Sequence, residues 1–398
     1  MFIDHISLLD FRTYRMLQLP LRAGVTVFLG SNGVGKTNIV EAIDYAANLG
    51  SHRVSHDAPL VRVGAQRAYI RTRTVRGNLQ TVTEFEIAPG ASNRVRINRA
   101  APVRAKEAAG IARTVLFSPE DLQLIKGEPA LRRRFLDEVA ISLRPTVGTY
   151  RSEYERVLKQ RNSLLKSSLR SRPDENLEST LAVWDAQLAE YGAQILSARL
   201  KLLNRLLPAL QRAYTGLADV AKEVSFSYES TVLGSVSAAN LASAAALPIS
   251  SLQEYFAQAL AAARKNERER GVTLVGPHRD DIALLLGSIP VKGYASHGES
   301  WSYALALRLA SWYVHRDEDP SEGAEPILIL DDVFAELDSA RRHRLGALVA
   351  DAQQVLITCA VISDIPEELG DYALVRVSPG VAVYAQEADR DAENIGDR

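Results

Sequence analysis

Apolar and polar positions alternate between two periods along the chain. Residues 25–29 (VTVFL) form a short β-branched run ending at Gly30, the pattern of a buried strand. Over 38–49 the apolar positions move to helical spacing. Residues 67–87 alternate with period two around Gly77-Asn78, a hairpin signal, and 94–97 predict a third strand beside it. Residues 114–117 predict another strand. Ser118-Pro119-Glu120 then opens a helix, with Ser as cap and Pro in the first turn. Residues 131–210 are Leu-rich at helical spacing, with breaks predicted near Arg172-Pro173 and at Pro208. Residues 231–251 are rich in Ala and Ser and weakly patterned, which predicts a loop or mobile segment. Helical spacing returns over 252–270. Strands are predicted at 272–275, 282–286, 327–330, 355–358 and 374–377. The order α/β, helical, α/β predicts one α/β domain interrupted by a helical insertion.

The first strand leads into Gly30-Ser31-Asn32-Gly33-Val34-Gly35-Lys36-Thr37, which matches the phosphate-binding loop G-x-x-x-x-G-K-[ST]. Glycines let backbone N–H groups turn inward to phosphate oxygens. Lys36 supplies charge for the β and γ phosphates, and Thr37 offers a hydroxyl to Mg²⁺. The following helix presents its positive end. Such a loop needs a metal-holding acid at the end of a second buried strand. Residues 326–332 (PILILDD) provide it: Asp331 is the candidate Mg²⁺ ligand and Asp332 the group that orients the attacking water. A plain helix N-cap is the competing reading of these acids. ATP and Mg²⁺ are the expected cofactors.

Charge adds a second theme. The chain has 398 residues, 47 Lys plus Arg and 48 Asp plus Glu, so a uniformly basic coat is excluded. The distribution is nonetheless uneven. Residues 61–106 carry ten bases against two acids, and 131–172 carry eleven against four. Two blocks of one sign in a neutral protein predict a polyanion-binding face. Arg132, Arg133 and Arg134 in the second block, and Arg71 and Arg73 in the first, are the candidate DNA contacts; solvated helix and strand faces are the competing reading. The single cysteine, Cys359, excludes an internal disulfide and suits a reducing cytoplasm. No run of 18 uncharged apolar residues occurs, so no membrane span is expected.

The two nucleotide motifs lie about 290 residues apart, which is typical of ABC-type ATPases of the chromosome-maintenance kind. Residues 333–338 (VFAELD), with Asp338, resemble the D-loop. Ser296-His297-Gly298-Glu299 opens a helix read as amphipathic, and Ser296 and Gly298 resemble the signature motif that contacts the γ-phosphate held by the other subunit. A bare Ser before a helix is also a common cap.

At this point the chain resembles the RecF family of recombination-mediator ATPases. The matching stretches are 8–14 (LLDFRTY), the phosphate-binding loop, 50–54 (GSHRV), 115–137 (VLFSPEDLQLIKGEPALRRRFLD), 274–282 (LVGPHRDDI), the signature-like segment and LDDVFAELD. The resemblance implies an α/β fold: an ABC-type P-loop ATPase head, with a mixed sheet plus an antiparallel β subdomain, into which a mostly helical second lobe is inserted. Residues 1–130 with 271–398 would form the ATPase lobe and 131–270 the helical lobe. It further implies ATP-driven homodimerisation, slow hydrolysis for release, binding of double- and single-stranded DNA, RecR (with RecO) as partner, and a role in repair of gaps at stalled forks with its SOS response. The chain departs from the family in the signature segment Ser296-His297-Gly298-Glu299, where a second polar amide is usual. Compared with transporter-type ABC proteins, it lacks a Gln within 118–121 and a His within 357–360. Another SMC-like head and a transporter subunit are the alternatives. The first requires far longer heptad segments than 131–270 can hold, and the second predicts a Gly-rich signature. His278 and Arg279 read more simply as partners of Asp280 or Asp281 than as functional groups, and Arg12 and Arg53 lie near the loop in the family fold.

Overall fold

The structure, a computed structural model, describes residues 1–169, 175–218, 222–319, 321 and 323–385. The break expected near Arg172-Pro173 lies outside them. In chain order the elements are β1 (Phe2–Phe11), β2 (Tyr14–Pro20), β3 (Gly24–Leu29), α1 (Lys36–Asn48), β4 (Ala68–Arg76), β5 (Leu79–Ile87), β6 (Arg94–Ile97), β7 (Val103–Arg104), β8 (Thr114–Phe117), α2 (Leu122–Lys126), α3 (Pro129–Leu143), α4 (Thr146–Ser168) and α5 (Glu175–Leu217). There follow β9 (Val224–Ser230), β10 (Gly234–Val236), α6 (Leu241–Ala245), α7 (Ile249–Arg270), β11 (Asp281–Leu286), β12 (Ile289–Pro290), α8 (His297–Glu318), β13 (Ile327–Asp331), α9 (Ser339–Val349), β14 (Gln354–Cys359), β15 (Tyr372–Ser378) and β16 (Val381–Tyr384).

The chain folds as two compact units. The first comprises Met1–Asp121 and the chain from Ser311, with a short piece at 216–218. It contains two six-stranded sheets. One runs β2-β1-β4-β5-β6-β7 and is antiparallel throughout. The other runs β16-β15-β3-β14-β13-β8, parallel except for the β15–β16 edge. The central parallel strands are apolar on both faces: Val27, Phe28, Leu328, Ile329, Leu356 and Ile357 are all buried, as strands covered on both sides require. Antiparallel β1 buries Ile3, Ile6, Leu8 and Phe11 in the same core.

The second unit comprises the rest, up to Ala310. Residues 271–310, expected in the ATPase lobe, therefore cluster with the insertion. This unit is not purely helical: β10-β9-β11-β12 form an antiparallel sheet, and α4 packs on α7 around Tyr154, Val157, Leu188, Phe256 and Leu260.

Several expectations are corrected. Pro208 lies inside α5 and does not end it. Residues 231–251 are structured as β10, α6 and the start of α7. The expected strand at 272–275 is absent because side chains take its backbone donors. The N–H of Thr273 donates to Asn162 Oδ1 at 2.7 Å, that of Leu274 to Glu267 Oε1 at 2.7 Å, and that of Gly276 to Thr231 Oγ1 at 2.8 Å. Helix α8 is not amphipathic, since from Ser300 to His315 every residue but Arg308 is buried.

Candidate nucleotide-binding site

All the phosphate-loop and acidic residues lie in the first unit. Strand β3 delivers the chain into residues 30–35, and α1 begins at Lys36. Two glycines are dictated by geometry. A Cβ on Gly30 would sit 2.4 Å from the Val377 carbonyl oxygen, and Gly35 adopts φ +113° as the residue before the helix, against Thr13 and Tyr14. Only glycine meets both demands without strain. The loop backbone thus passes close to β15 and turns its amides toward the start of α1, where helix polarity favours an anion.

Lys36 is 3% exposed. Its Nζ donates to the carbonyl oxygens of Gly30 at 3.0 Å and Ser31 at 3.3 Å and approaches Asn32 Oδ1 at 3.4 Å. Asp332 Oδ1 is 3.9 Å away. The ammonium is therefore held over the loop by mostly neutral partners, which phosphate oxygens can replace. Thr37 Oγ1 donates to Asp331 Oδ1 at 3.0 Å. Thr358 Oγ1 donates to the same oxygen at 2.6 Å and accepts the Asp332 N–H at 2.9 Å. Burial pushes the Asp331 carboxyl up, as does the neighbouring Asp332 charge, while the hydrogen bonds from Thr358 and Thr37 oppose the shift. A buried carboxylate so placed gains from a cation. Thr37 and Asp331 fit Mg²⁺, which keeps water and phosphate oxygens among its ligands and needs few from the protein. Among the described residues no cluster of three or more His, Cys, Asp or Glu offers an all-protein alternative.

Behind the loop, α1 is anchored by a buried carboxylate that the sequence did not single out. Glu41 is fully buried. It accepts from Arg12 Nε at 2.8 Å and Nη2 at 2.6 Å, and from Ser51 Oγ at 2.6 Å. Arg53 lies 3.5 Å from Glu41 and donates to Asn38 Oδ1 at 3.2 Å. Arg12 and Arg53 thus brace α1. Of the two, only Arg53 is substantially exposed (38%).

The signature-like residues lie in the second unit. Ser296 and Glu299 form a reciprocal capping box: the Ser296 N–H donates to Glu299 Oε2 at 2.8 Å, and the Glu299 N–H donates to Ser296 Oγ at 3.2 Å. The hydrogen bond from Lys222, with those from Ser296, holds the Glu299 carboxyl down at about 2. The Ser296 hydroxyl accepts the Glu299 N–H and lies beside the Glu299 carboxylate, which its own hydrogen bond helps to hold down. Ser296 is exposed, and Gly298 is half-buried in the first turn. Asp338 caps α9, accepting the Arg341 N–H at 2.9 Å. His278 and Asp280 are both held structurally, but not by each other: the expected pairing with Asp280 or Asp281 is replaced by contacts of His278 and Arg279 with the Thr273 carbonyl oxygen. Tyr154 Oη lies 2.7 Å from His278 Nδ1, and Asp280 accepts from Tyr228 at 2.7 Å and from Thr231 Oγ1 at 2.9 Å.

The candidate DNA contacts separate by environment. Arg132 is 6% exposed. Its Nε and Nη2 each donate to Asp281 at 2.8 Å, and its Nη1 donates to the carbonyls of Leu124 and Gly127. It is therefore withdrawn as a DNA contact, because leaving would strand a buried pair. Arg133 donates to the Asp280 carbonyl at 2.8 Å, and exposed Arg134 pairs with Glu138 one helical turn on. Arg71 and Arg73 stand exposed on β4, alternating with buried Ile70, Thr72 and Thr74. Arg73 pairs with Asp4. Registers place Glu84 between Arg71 and Arg96, and set exposed Arg94 directly opposite exposed Arg104.

A parallel sheet whose strand β3 ends in a phosphate loop, with an acidic pair at the end of β13 one strand removed and an antiparallel β-sheet in the same unit, defines a P-loop ATPase of the ABC and SMC-head class. The family model described as "RecF/RecN/SMC N terminal domain" matches residues 2–369. A DNA replication and repair protein RecF from Paenarthrobacter aurescens (strain TC1) is 52% identical over 395 residues, covering 96% of this chain and 99% of that one. The RecF of Streptomyces avermitilis is also 52% identical, over 92% of this chain and 95% of its own. A solved structure of the recombination mediator protein RecF with ATP, in the RecFOR pathway, is similar with a TM-score of 0.84 at 26% identity, covering 96% of this chain and 97% of that one. An SMC head bound to the C-terminal winged-helix domain of ScpA shares the fold at a TM-score of 0.52 and 14% identity, over 98% of this chain and all of that one. The chain belongs to the RecF family.

Proposed function

We propose that the chain is an ATP-switched DNA-binding protein of recombinational repair and replication-fork maintenance. The observation that carries this is the meeting of Lys36, Thr37, Asp331 and Asp332 at one loop. Lys36 binds the β and γ phosphates. Thr37 and Asp331 hold Mg²⁺, which supplies positive charge to the phosphates when bound. Asp332 accepts a hydrogen bond from the attacking water and takes its proton as the bond from water oxygen to γ-phosphorus forms and the bond to ADP breaks. Two copies close head-to-head around ATP, each offering Ser296 and Gly298 to the nucleotide of the other. Hydrolysis is slow, is stimulated by DNA and releases the dimer, so ATP acts as a clamp-and-release switch. RecR, with RecO, is the expected partner, consistent with the RecFOR pathway of the similar RecF structure. The protein works in the cytoplasm, loading recombinase at gaps and supporting SOS induction.

The solvent face of the antiparallel sheet is the proposed DNA surface. In the helical block Arg132, Arg134, Arg151, Arg156 and Arg161 are each held in ion pairs. On the sheet, Arg94 opposite Arg104 is a like-charge pair that an isolated sheet disfavours and a phosphate backbone would relieve. Fluorescence anisotropy with double- and single-stranded DNA, with and without ATP, tests the reading. Charge reversal of Arg71 and Arg96 should weaken binding in proportion on every sequence, whereas reversal of Arg134 should not. Unchanged binding in the sheet variants would remove the surface.

A further inference from the structure

Thr358 lies in β14, and the parallel pairing of β13 with β14 sets it directly opposite Asp331. On its other side it is in register with Phe28 of β3, and it is fully buried. Its one hydroxyl serves two adjacent acids. As donor it meets Asp331 Oδ1 at 2.6 Å, and as acceptor it takes the Asp332 N–H at 2.9 Å. That N–H approaches the Thr358 carbonyl oxygen only at 3.3 Å. Asp332 has φ +52°, a region non-glycine residues seldom enter and that surroundings must enforce. The kink turns the chain out of β13 and leaves the Asp332 carboxylate 3.9 Å from Lys36 Nζ.

We propose that Thr358 is a positioning residue for ATP hydrolysis. Its hydroxyl fixes the orientation of the metal-holding carboxylate. The same oxygen pins the backbone kink that aims Asp332 at the phosphates. The Asp332 amide's other acceptor, the Thr358 carbonyl oxygen, is the longer contact at 3.3 Å. Transporter-type ATPases place a His in this segment; here the adjacent Cys359 is buried, with its thiol pushed up to about 12 by that burial. Thr358 thus acts through the two acids from behind them. The inference rests on the ATPase reading above.

The test compares Thr358→Val, Thr358→Ala and Thr358→Ser with the parent protein. ATPase kcat and KM, binding of a fluorescent ATP analogue across a Mg²⁺ series, and melting without nucleotide are measured. Residues that orient metal ligands typically control about 10- to 100-fold in metal affinity or activity. A kcat loss of that size is expected for Val and Ala, with a matching rise in the Mg²⁺ needed for half-maximal analogue binding and little change in binding without Mg²⁺. Serine, which keeps the hydroxyl, should restore both. Unchanged kcat and Mg²⁺ dependence in folded Val or Ala variants would overturn the proposal, as would failure of both to fold while Ser folds, because the hydroxyl would then be purely structural. Absence of ATP hydrolysis in the parent protein would instead overturn the ATPase reading.

Discussion

The hydroxyl of Thr37 lies 3.0 Å from Oδ1 of Asp331, a residue 294 positions further along the chain. One stands at the start of α1 and the other at the end of β13. Parallel packing of β3, β14 and β13 joins them, with β14 in register with both neighbours. In the proposed reading, that contact is where metal and phosphate chemistry would meet.

Replacing Lys36 with Ala removes the charge held over the loop. Its partners Gly30 O and Ser31 O are loop carbonyls at the mouth of the site, so little folding stability rests on it. The expected result is loss of ATP-analogue binding with a melting temperature close to the parent's. Parental affinity in Lys36→Ala would contradict the assignment.

Asp332→Asn should bind ATP and accumulate the ATP-bound dimer, because an amide fills the space but cannot take the proton from water. Asparagine also tolerates the φ of +52°. Asp332→Ala should add a backbone penalty of roughly 1 kcal/mol. Single-turnover hydrolysis at the parent rate in Asp332→Asn would show that another group does this work.

Acid sensitivity should arise in the second unit. Burial holds His278 down to about 4, so the unfolded chain, near 6.5, binds the proton more readily. Stability contributed by the neutral ring is complete above pH 6.5 and falls as pH drops toward 4, by up to roughly 3 kcal/mol. Buried Asp280, shifted upward by burial, works in the opposite sense near the bottom of this window. Denaturant melts from pH 7 to 4 check the trend, and His278→Gln should flatten it.

DNA affinity should be electrostatic. With about five phosphates contacted, log K should fall with log salt at a slope of about −4 to −5. Charge reversal at Arg71 and Arg96 should make the slope shallower. A salt-independent affinity would point to base readout instead.

Much of the first unit was legible in the sequence because its signals are local. The phosphate loop, the 77–78 hairpin and the acidic strand at 327–331 each carry their motif within about ten residues. The β1–β2 hairpin was not predicted. Strand β1 carries a bulge between Ile3 and His5 where it pairs with β4, and Asp10 and the turn residue Arg12 lie at positive φ. The exclusion of Arg132 was illegible for a different reason. Its partner Asp281 is 149 residues away, and no spacing rule shows that a base in a basic run is held by so distant an acid. Thr358 gave a signal only as a missing histidine. Its role follows from strand register, which fixes the facing residue and is unreadable until the sheet order is known. The strand expected at 272–275 failed because Asn162 and Thr231, distant in sequence, and Glu267, seven residues before Leu274, take the amides a strand partner would use.

Ser296→Arg separates the two faces of the site. Its hydroxyl caps α8 by accepting the Glu299 N–H. Arginine there adds bulk where two copies must close. ATP-analogue binding by the single copy should persist, and dimerisation should fail. Loss of both would mean that residue 296 supports the fold, and retention of both would remove the signature assignment.

The central claim is that ATP joins two copies of this chain on DNA. Sedimentation velocity tests it most directly, on the full chain alone, with ATP and Mg²⁺, and with double-stranded DNA added, beside Lys36→Ala. The expected result is a monomer that becomes a dimer only with ATP, sediments faster still with DNA, and stays monomeric in the variant. An unchanged sedimentation coefficient with ATP and DNA present, or the same dimer in Lys36→Ala, would contradict the account.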